Sequence, residues 1–327
     1  IVNHYSLLES LIINMPSTAP TNDAQGETKE PFTVRVQVLS DIHLECRKEM
    51  YEVAVGSPVL ALLGDIGYAS DCEDGEKLRE FIHTQSNAFE HVLLIAGNHE
   101  FYGTDYDEGI AWLTRTCEAA PRKNVHFLNR SHVDISGIRF IGCTLWTRIP
   151  KKKRLDAIQM MSDFDNISNF EYKNAYEAAK DQGAKLAAIN QACLQYEKFW
   201  TRDAEWLDEA LQQAREDTKS GMCTGAIVLT HHAPLVKEAV VCQRSFEMGG
   251  HKIGCEGSNL YSSKLGSPDP CVKLWLYGHT HKCYSERDAQ SGVLFLSNPV
   301  GHDGEKREGN FSSVCVVGVC SSGAVVE

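Results

Sequence analysis

Short apolar runs in this 327-residue chain end repeatedly in small clusters of Asp, Asn and His. Thr33 to Leu39 runs into Ser40-Asp41-Ile42-His43, Val59 to Leu63 into Gly64-Asp65, and His91 to Ala96 into Gly97-Asn98-His99-Glu100. Ala226 to Thr230 leads to His231-His232, and Val272 to Tyr277 leads to Gly278-His279-Thr280-His281. Aliphatic and β-branched runs bounded by turn residues read as strands, and helical periodicities at 74–89 and 105–119 follow the second and third. That βαβ rhythm calls for a largely parallel sheet. In open α/β sheets ligands bind beyond the carboxyl ends of the strands, so these separate clusters are expected to converge there.

The rest of the chain fits one domain. Residues 16–31 are small, polar and punctuated by Pro16, Pro20 and Pro31, a linker composition, so residues 1–31 read as a flexible segment ahead of a domain over 32–327. After Pro121, short runs at 125–128, 132–135 and 138–145, with a Ser136-Gly137 turn, suggest hairpin pairing. The Ala-rich stretch 170–216 reads as one or two helices interrupted at Gly183, and strands return at 293–297 and 313–319. A Gly-rich segment, 242–269, is long enough for a functional loop; its His251 reads as a surface residue.

Composition narrows the function classes. With 32 basic and 44 acidic residues the net charge is −12, which disfavours duplex nucleic acid as a partner but leaves a small phosphate ester open. Twelve cysteines without a Cys-x-x-Cys pair are too sparse for a disulfide scaffold and read as reduced thiols. No apolar run reaches the roughly 18 residues of a membrane helix. Together these favour a cytoplasmic protein without a membrane partner.

Asp-x-His and His-x-His put two donors at i and i+2, which share one face of a strand and can bend toward one ion at its end. Carboxylate, amide oxygen and imidazole suit Zn, Fe or Mn better than Ca. One such cluster alone is ordinary turn chemistry; five at strand ends are a site.

This ordered set, Asp41-x-His43, Gly64-Asp65, Gly97-Asn98-His99-Glu100, His231 after a strand and Gly278-His279-x-His281, resembles the calcineurin-like metallophosphoesterase superfamily over about residues 33–301. The resemblance implies an α/β, four-layer αββα sandwich of two mixed β-sheets flanked by helices. It also implies two divalent ions (Mn, Fe, Zn or Mg) at one edge. Asp41, His43 and His281 would hold the first ion and Asn98, His231 and His279 the second. Asp65 would bridge them, and His99 would be the catalytic histidine. Two ions ~3.5–4 Å apart would clamp a phosphoryl group and activate a water, with His99 on the leaving-group side. Glu100 reads either as a partner that orients an imidazole or as an exposed helix-start carboxylate.

Departures from the family limit the substrate. Gly64-Asp65-Ile66-Gly67-Tyr68-Ala69 lacks the Asp-Arg with which the protein serine/threonine phosphatases grip a phosphoprotein. Relatives carry Arg and an aromatic after Asn-Pro near the chain end, where this sequence has Asn298-Pro299-Val300-Gly301-His302. The expectation is therefore a hydrolase of small-molecule or nucleotide-type phosphate monoesters or diesters. The alternative is a scaffold that keeps the fold to bind partners. The basic run Lys151 to Arg154 reads as a solvated loop, and the tryptophans as core.

Overall fold

Strands Val59–Leu63 and Gly225–Thr230 are buried at every position, the mark of strands covered on both faces. The computed structural model describes residues 32–234, 269–305, 310–320 and 325–326. The strands are β1 (Phe32–Leu39), β2 (Val59–Leu63), β3 (His91–Ile95), β4 (Val125–Phe127), β5 (Ser131–Ile135) and β6 (Ile138–Cys143), followed by β7 (Gly225–Thr230), β8 (Val272–Tyr277), β9 (Tyr284–Arg287), β10 (Leu294–Ser297), β11 (Val316–Cys320) and β12 (Val325–Val326). They form two six-stranded mixed sheets, ordered β12-β11-β1-β2-β3-β4 and β5-β6-β7-β8-β10-β9.

Side-chain alternation sorts each strand between two cores. Val36, Val38, Ala61, Leu63, Leu93 and Ile95 of the first sheet meet Phe140, Ile227, Leu229, Leu274 and Leu276 of the second in an apolar cluster between the layers. Residues of opposite parity face helices. Leu60, Leu62, Val92 and Leu94 pack under α1 (Glu73–Ala88) and α2 (Tyr106–Glu118). Ile141, Val228 and Trp275 pack under α6 (Gln182–Ser220), through Tyr196, Phe199 and Leu207. The result is the expected four-layer sandwich. Between β6 and α6 lie three short helices, α3 (Arg154–Met160), α4 (Asp163–Asn166) and α5 (Lys173–Ala178).

Three local expectations need correction. The 125–128 run does not join a hairpin: β4 pairs parallel with β3 at the edge of the first sheet. Of the three runs only the last two, β5 and β6, form one, over Ser136 and Gly137 at φ 51° and 77°, the two-residue turn whose twist suits a hairpin. Gly183 does not interrupt the long helix. It is the second residue of α6, where intrahelical hydrogen bonds do not yet need its N–H, and the break falls at 179–181, with Asp181 capping Ala184 N at 2.8 Å. The sheets are also less parallel than the rhythm suggested, because β9, β11 and β12 pair antiparallel.

Residues 1–31 and 235–268, and with them His251 and nearly all of the 242–269 loop, lie outside the described residues. Lys151 and Lys152 are exposed as expected, but Arg154 turns inward to Asn190 and Glu197. All ten cysteines among the described residues are free thiols, and no helix there is long and apolar enough to cross a membrane.

Candidate active site

The five clusters meet at one edge of the sandwich. β1, β2, β3, β7 and β8 all finish there, and the chain leaves β1, β2 and β8 through strained backbone. Among the described residues nine non-glycine positions have positive φ, and five of them are Asp41 (53°), His43 (52°), Asp65 (54°), His279 (67°) and His281 (51°). Left-handed backbone costs roughly 1–2 kcal/mol at a residue with a Cβ. Its concentration in these five shows that the surrounding structure holds them against their local preference. Glycines make the close approaches possible. A Cβ on Gly64 would sit 2.5 Å from Gly97 N and 2.6 Å from His231 Nδ1, and one on Gly278 would sit 2.9 Å from Asp41 Oδ2.

Acceptors face acceptors at two places. His43 Nδ1 is 3.0 Å from Glu45, and His281 Nδ1 is 2.7 Å from Glu305, so both rings spend their Nδ1 protons on carboxylates. Their Nε2 atoms then meet, lone pair to lone pair, at 3.1 Å, with Asp41 Oδ1 3.5 Å from His281 Nε2. In the second place His231 donates Nδ1–H to the Leu63 carbonyl at 2.7 Å. Its Nε2 then faces Asn98 Oδ1 at 3.1 Å and Asp65 Oδ1 at 3.3 Å. Such groupings repel unless a cation or a proton lies among them. The His279 ring is 5.0 Å from that of His231, and Asp65, His231 and His279 can converge on one ion, as can His43, Asp65 and His99. The donor set of carboxylate, amide oxygen and imidazole fits a borderline divalent ion at each place.

The sequence matches the calcineurin-like phosphoesterase family over residues 34–283. The chain belongs to that family. A curated relative, an uncharacterised protein of Acanthamoeba polyphaga mimivirus, is 25% identical over 258 residues, spanning 77% of this chain and 81% of that one. Among solved structures, the phosphopantetheinyl hydrolase PptH of Mycobacterium tuberculosis matches with a TM-score of 0.49 at 14% identity, covering 84% of this chain and 90% of its own. The NAD nucleotidase NadN of Haemophilus influenzae matches with a TM-score of 0.35 at 12% identity, covering 90% of this chain and 48% of its own.

Around this calcineurin-like site lies a shell of carboxylates that motif reading did not find. Glu45 Oε1 takes the Nδ1 of His99 at 2.9 Å as well as that of His43. Burial works to raise the Glu45 pKa, but its hydrogen bonds with both imidazoles outweigh it and bring the value down to about 2. Burial likewise opposes protonation of His99, while the charges of Asp65 and Glu45 and the Glu45 hydrogen bond push it up to about 9. Asp163 of α4, fully desolvated, accepts from Asn98 Nδ2 and Tyr102 OH at 2.8 Å each and from Tyr196 OH at 3.2 Å. Its burial raises its pKa.

Glu100 matches neither reading made from sequence. It is completely buried, and its two oxygens accept the backbone N–H groups of Asp65 (2.9 Å), Ile66 (2.7 Å) and Gly97 (2.6 Å). It therefore staples the turn after β2 to the turn after β3. His302 is a further addition, with its ring 4.0 Å from that of His43.

A cleft of about 150 Å³ opens over Asp65, Asn98, His99, His279 and His281. Tyr102, Met160, Met161 and Asp163 form its far wall, with Tyr102 stacked on His99 at 4.2 Å between ring centroids. No Lys or Arg among the described residues lines it.

Proposed function

We propose that the protein is a hydrolase of small phosphate esters that uses two divalent ions, the first held by Asp41, His43 and His281, the second by Asn98, His231 and His279, with Asp65 shared. The observation that carries this reading is the meeting of His43 Nε2 and His281 Nε2 at 3.1 Å while both Nδ1 atoms are committed to Glu45 and Glu305. Bound at these donors, the ions supply Lewis acidity toward phosphoryl oxygens and a water acidic enough to attack near neutral pH.

The chain supplies the rest. Asp65 is oriented by the His99 backbone N–H at 2.9 Å, and Asp41 by the His279 N–H at 3.0 Å. His99, with Nδ1 on Glu45, directs Nε2 toward the Asp65 side, 3.9 Å from Oδ2, where it can protonate the departing alkoxide. Met160, Met161 and the Tyr102 ring close the cleft on that side and limit water around the leaving group.

The test is metal analysis of protein purified without chelator, paired with hydrolysis of p-nitrophenyl phosphate and bis-p-nitrophenyl phosphate. Two ions per chain and turnover of at least one ester are expected. Asp65→Asn should lose metal and activity together, whereas His99→Ala should keep its metal and lose rate, by about a hundredfold or more on poor leaving groups. Protein that holds no metal and turns over neither ester would overturn the reading.

A further inference from the structure

The turn at residues 300–305 is stitched to the strand end that carries the first metal position. Val300 N donates to Ser40 O and Gly301 N to Asp41 O, each at 2.9 Å. The Arg47 guanidinium ties Gly301 O (2.6 Å) to Ile42 O (2.5 Å). Glu305 Oε2 takes both the His302 backbone N–H at 2.9 Å and His281 Nδ1 at 2.7 Å. Gly301, at φ 78°, supplies the left-handed bend that turns the next side chain inward.

That side chain is the imidazole of His302. Its ring is 4.0 Å from that of His43 and 4.9 Å from that of His281, and one donor atom from each of the three residues lies within 4.8 Å of the others. Among the described residues its ring nitrogens have no hydrogen-bond partner, although the turn that carries it is fixed at four backbone atoms.

We propose that His302 is an additional ligand of the first metal position. Together with Asp41, His43, Asp65 and His281 it makes a donor set of three imidazoles and two carboxylates. This rests on the assignment of that position under the proposed function. Imidazole favours Zn, Fe and Co over Mg and Ca, while carboxylates alone favour the hard ions, so a third imidazole selects a borderline transition ion here.

The experiment measures Zn²⁺, Co²⁺ and Mg²⁺ affinities of the full chain by competition with a chelating dye, together with the visible spectrum of the Co²⁺-loaded protein. Four proteins are compared, wild type, His302→Ala, His302→Phe and His281→Ala, each checked for folding by circular dichroism. Phe keeps an aromatic ring against His43 and removes the nitrogens. Both His302 variants should weaken Zn²⁺ and Co²⁺ about tenfold or more at one site, leave Mg²⁺ little changed and alter the Co²⁺ spectrum. If His281→Ala loses that site while both His302 variants match wild type, the assignment of the position stands and the proposal fails. If only His302→Ala weakens binding, His302 acts by stacking, and the proposal fails again. Retention of full Zn²⁺ affinity by His281→Ala would overturn the assignment and this inference together.

Discussion

His99 donates its Nδ1 proton to Glu45 at 2.9 Å, and the oxygen that receives it also lies 3.0 Å from Nδ1 of His43. One carboxylate thus fixes the orientation of the proposed catalytic imidazole and the tautomer of a proposed metal ligand. Glu45→Ala should release both rings. The maximal rate on a poor leaving group is expected to fall about 10–100-fold, with a smaller effect on an activated nitrophenyl ester, and metal affinity should weaken at the first position. Because Glu45 acts on the leaving group only through His99, the rate of the double variant Glu45→Ala/His99→Ala, measured at saturating metal, should equal that of His99→Ala alone. Additive losses would show that Glu45 acts independently.

Asp163 does for Asn98 what Glu45 does for His99. Asp163 Oδ1 accepts from both Asn98 Nδ2 and Tyr102 OH, and with its NH₂ group held there the Asn98 amide oxygen points at His231. Asp163→Ala removes that constraint and is expected to weaken metal binding at the second position by about 10–100-fold. Tyr196→Phe, which deletes a different donor to Asp163, should leave metal affinity near wild type. Dye competition on the two variants checks both statements.

What was legible from sequence had a local signature. Asp41, His43, Asp65, Asn98, His231, His279 and His281 each follow an apolar run directly, and the strand rule alone brings them to one edge. The two packed sheets were legible by resemblance, from the order of the motifs. The supporting carboxylates had no such signature. Asp163 lies 65 residues from Asn98 in a segment of short helices, and Glu305 lies 24 residues past His281, so each becomes visible only when the chain has folded back. Glu45 was within reach, since Asp41-x-His43-x-Glu45 continues the same i, i+2 spacing. The mispaired 125–128 run had another cause, tertiary pairing with β3 rather than local preference, whereas the misplaced break at Gly183 was local, because Asp181 caps the helix just ahead of it.

Glu100 should matter to stability more than to chemistry. Its carboxylate is the acceptor for three buried N–H groups, and each donor left unsatisfied costs about 1–3 kcal/mol. Glu100→Ala is therefore expected to lower the melting temperature by several degrees or more. Glu100→Gln, nearly the same shape, should also destabilise, because its NH₂ group would confront backbone donors. A melting temperature for Glu100→Gln equal to wild type would refute the stapling role.

Gly97 and Gly103 separate steric from conformational demands on the same loop. A Cβ on Gly97 would overlap Asp65 Oδ1 and sit 2.6 Å from Asp65 N and 2.7 Å from His231 Cε1, all of them parts of rigid, buried neighbours. Gly103 has open space around its Cβ position but a φ of 79°. Gly103→Ala should cost only the backbone strain, about 1–2 kcal/mol, and leave metal content and turnover unchanged. Gly97→Ala should displace the Asp65 carboxylate, because the new methyl group meets its oxygen as well as the Asp65 backbone nitrogen and the fully buried His231 ring. It is expected to lose metal at both positions and with it ester hydrolysis, even where circular dichroism shows the sandwich intact. Metal analysis on the two purified variants decides the matter: a Gly97→Ala protein with full metal content would mean that Asp65 is not held where the two positions share it.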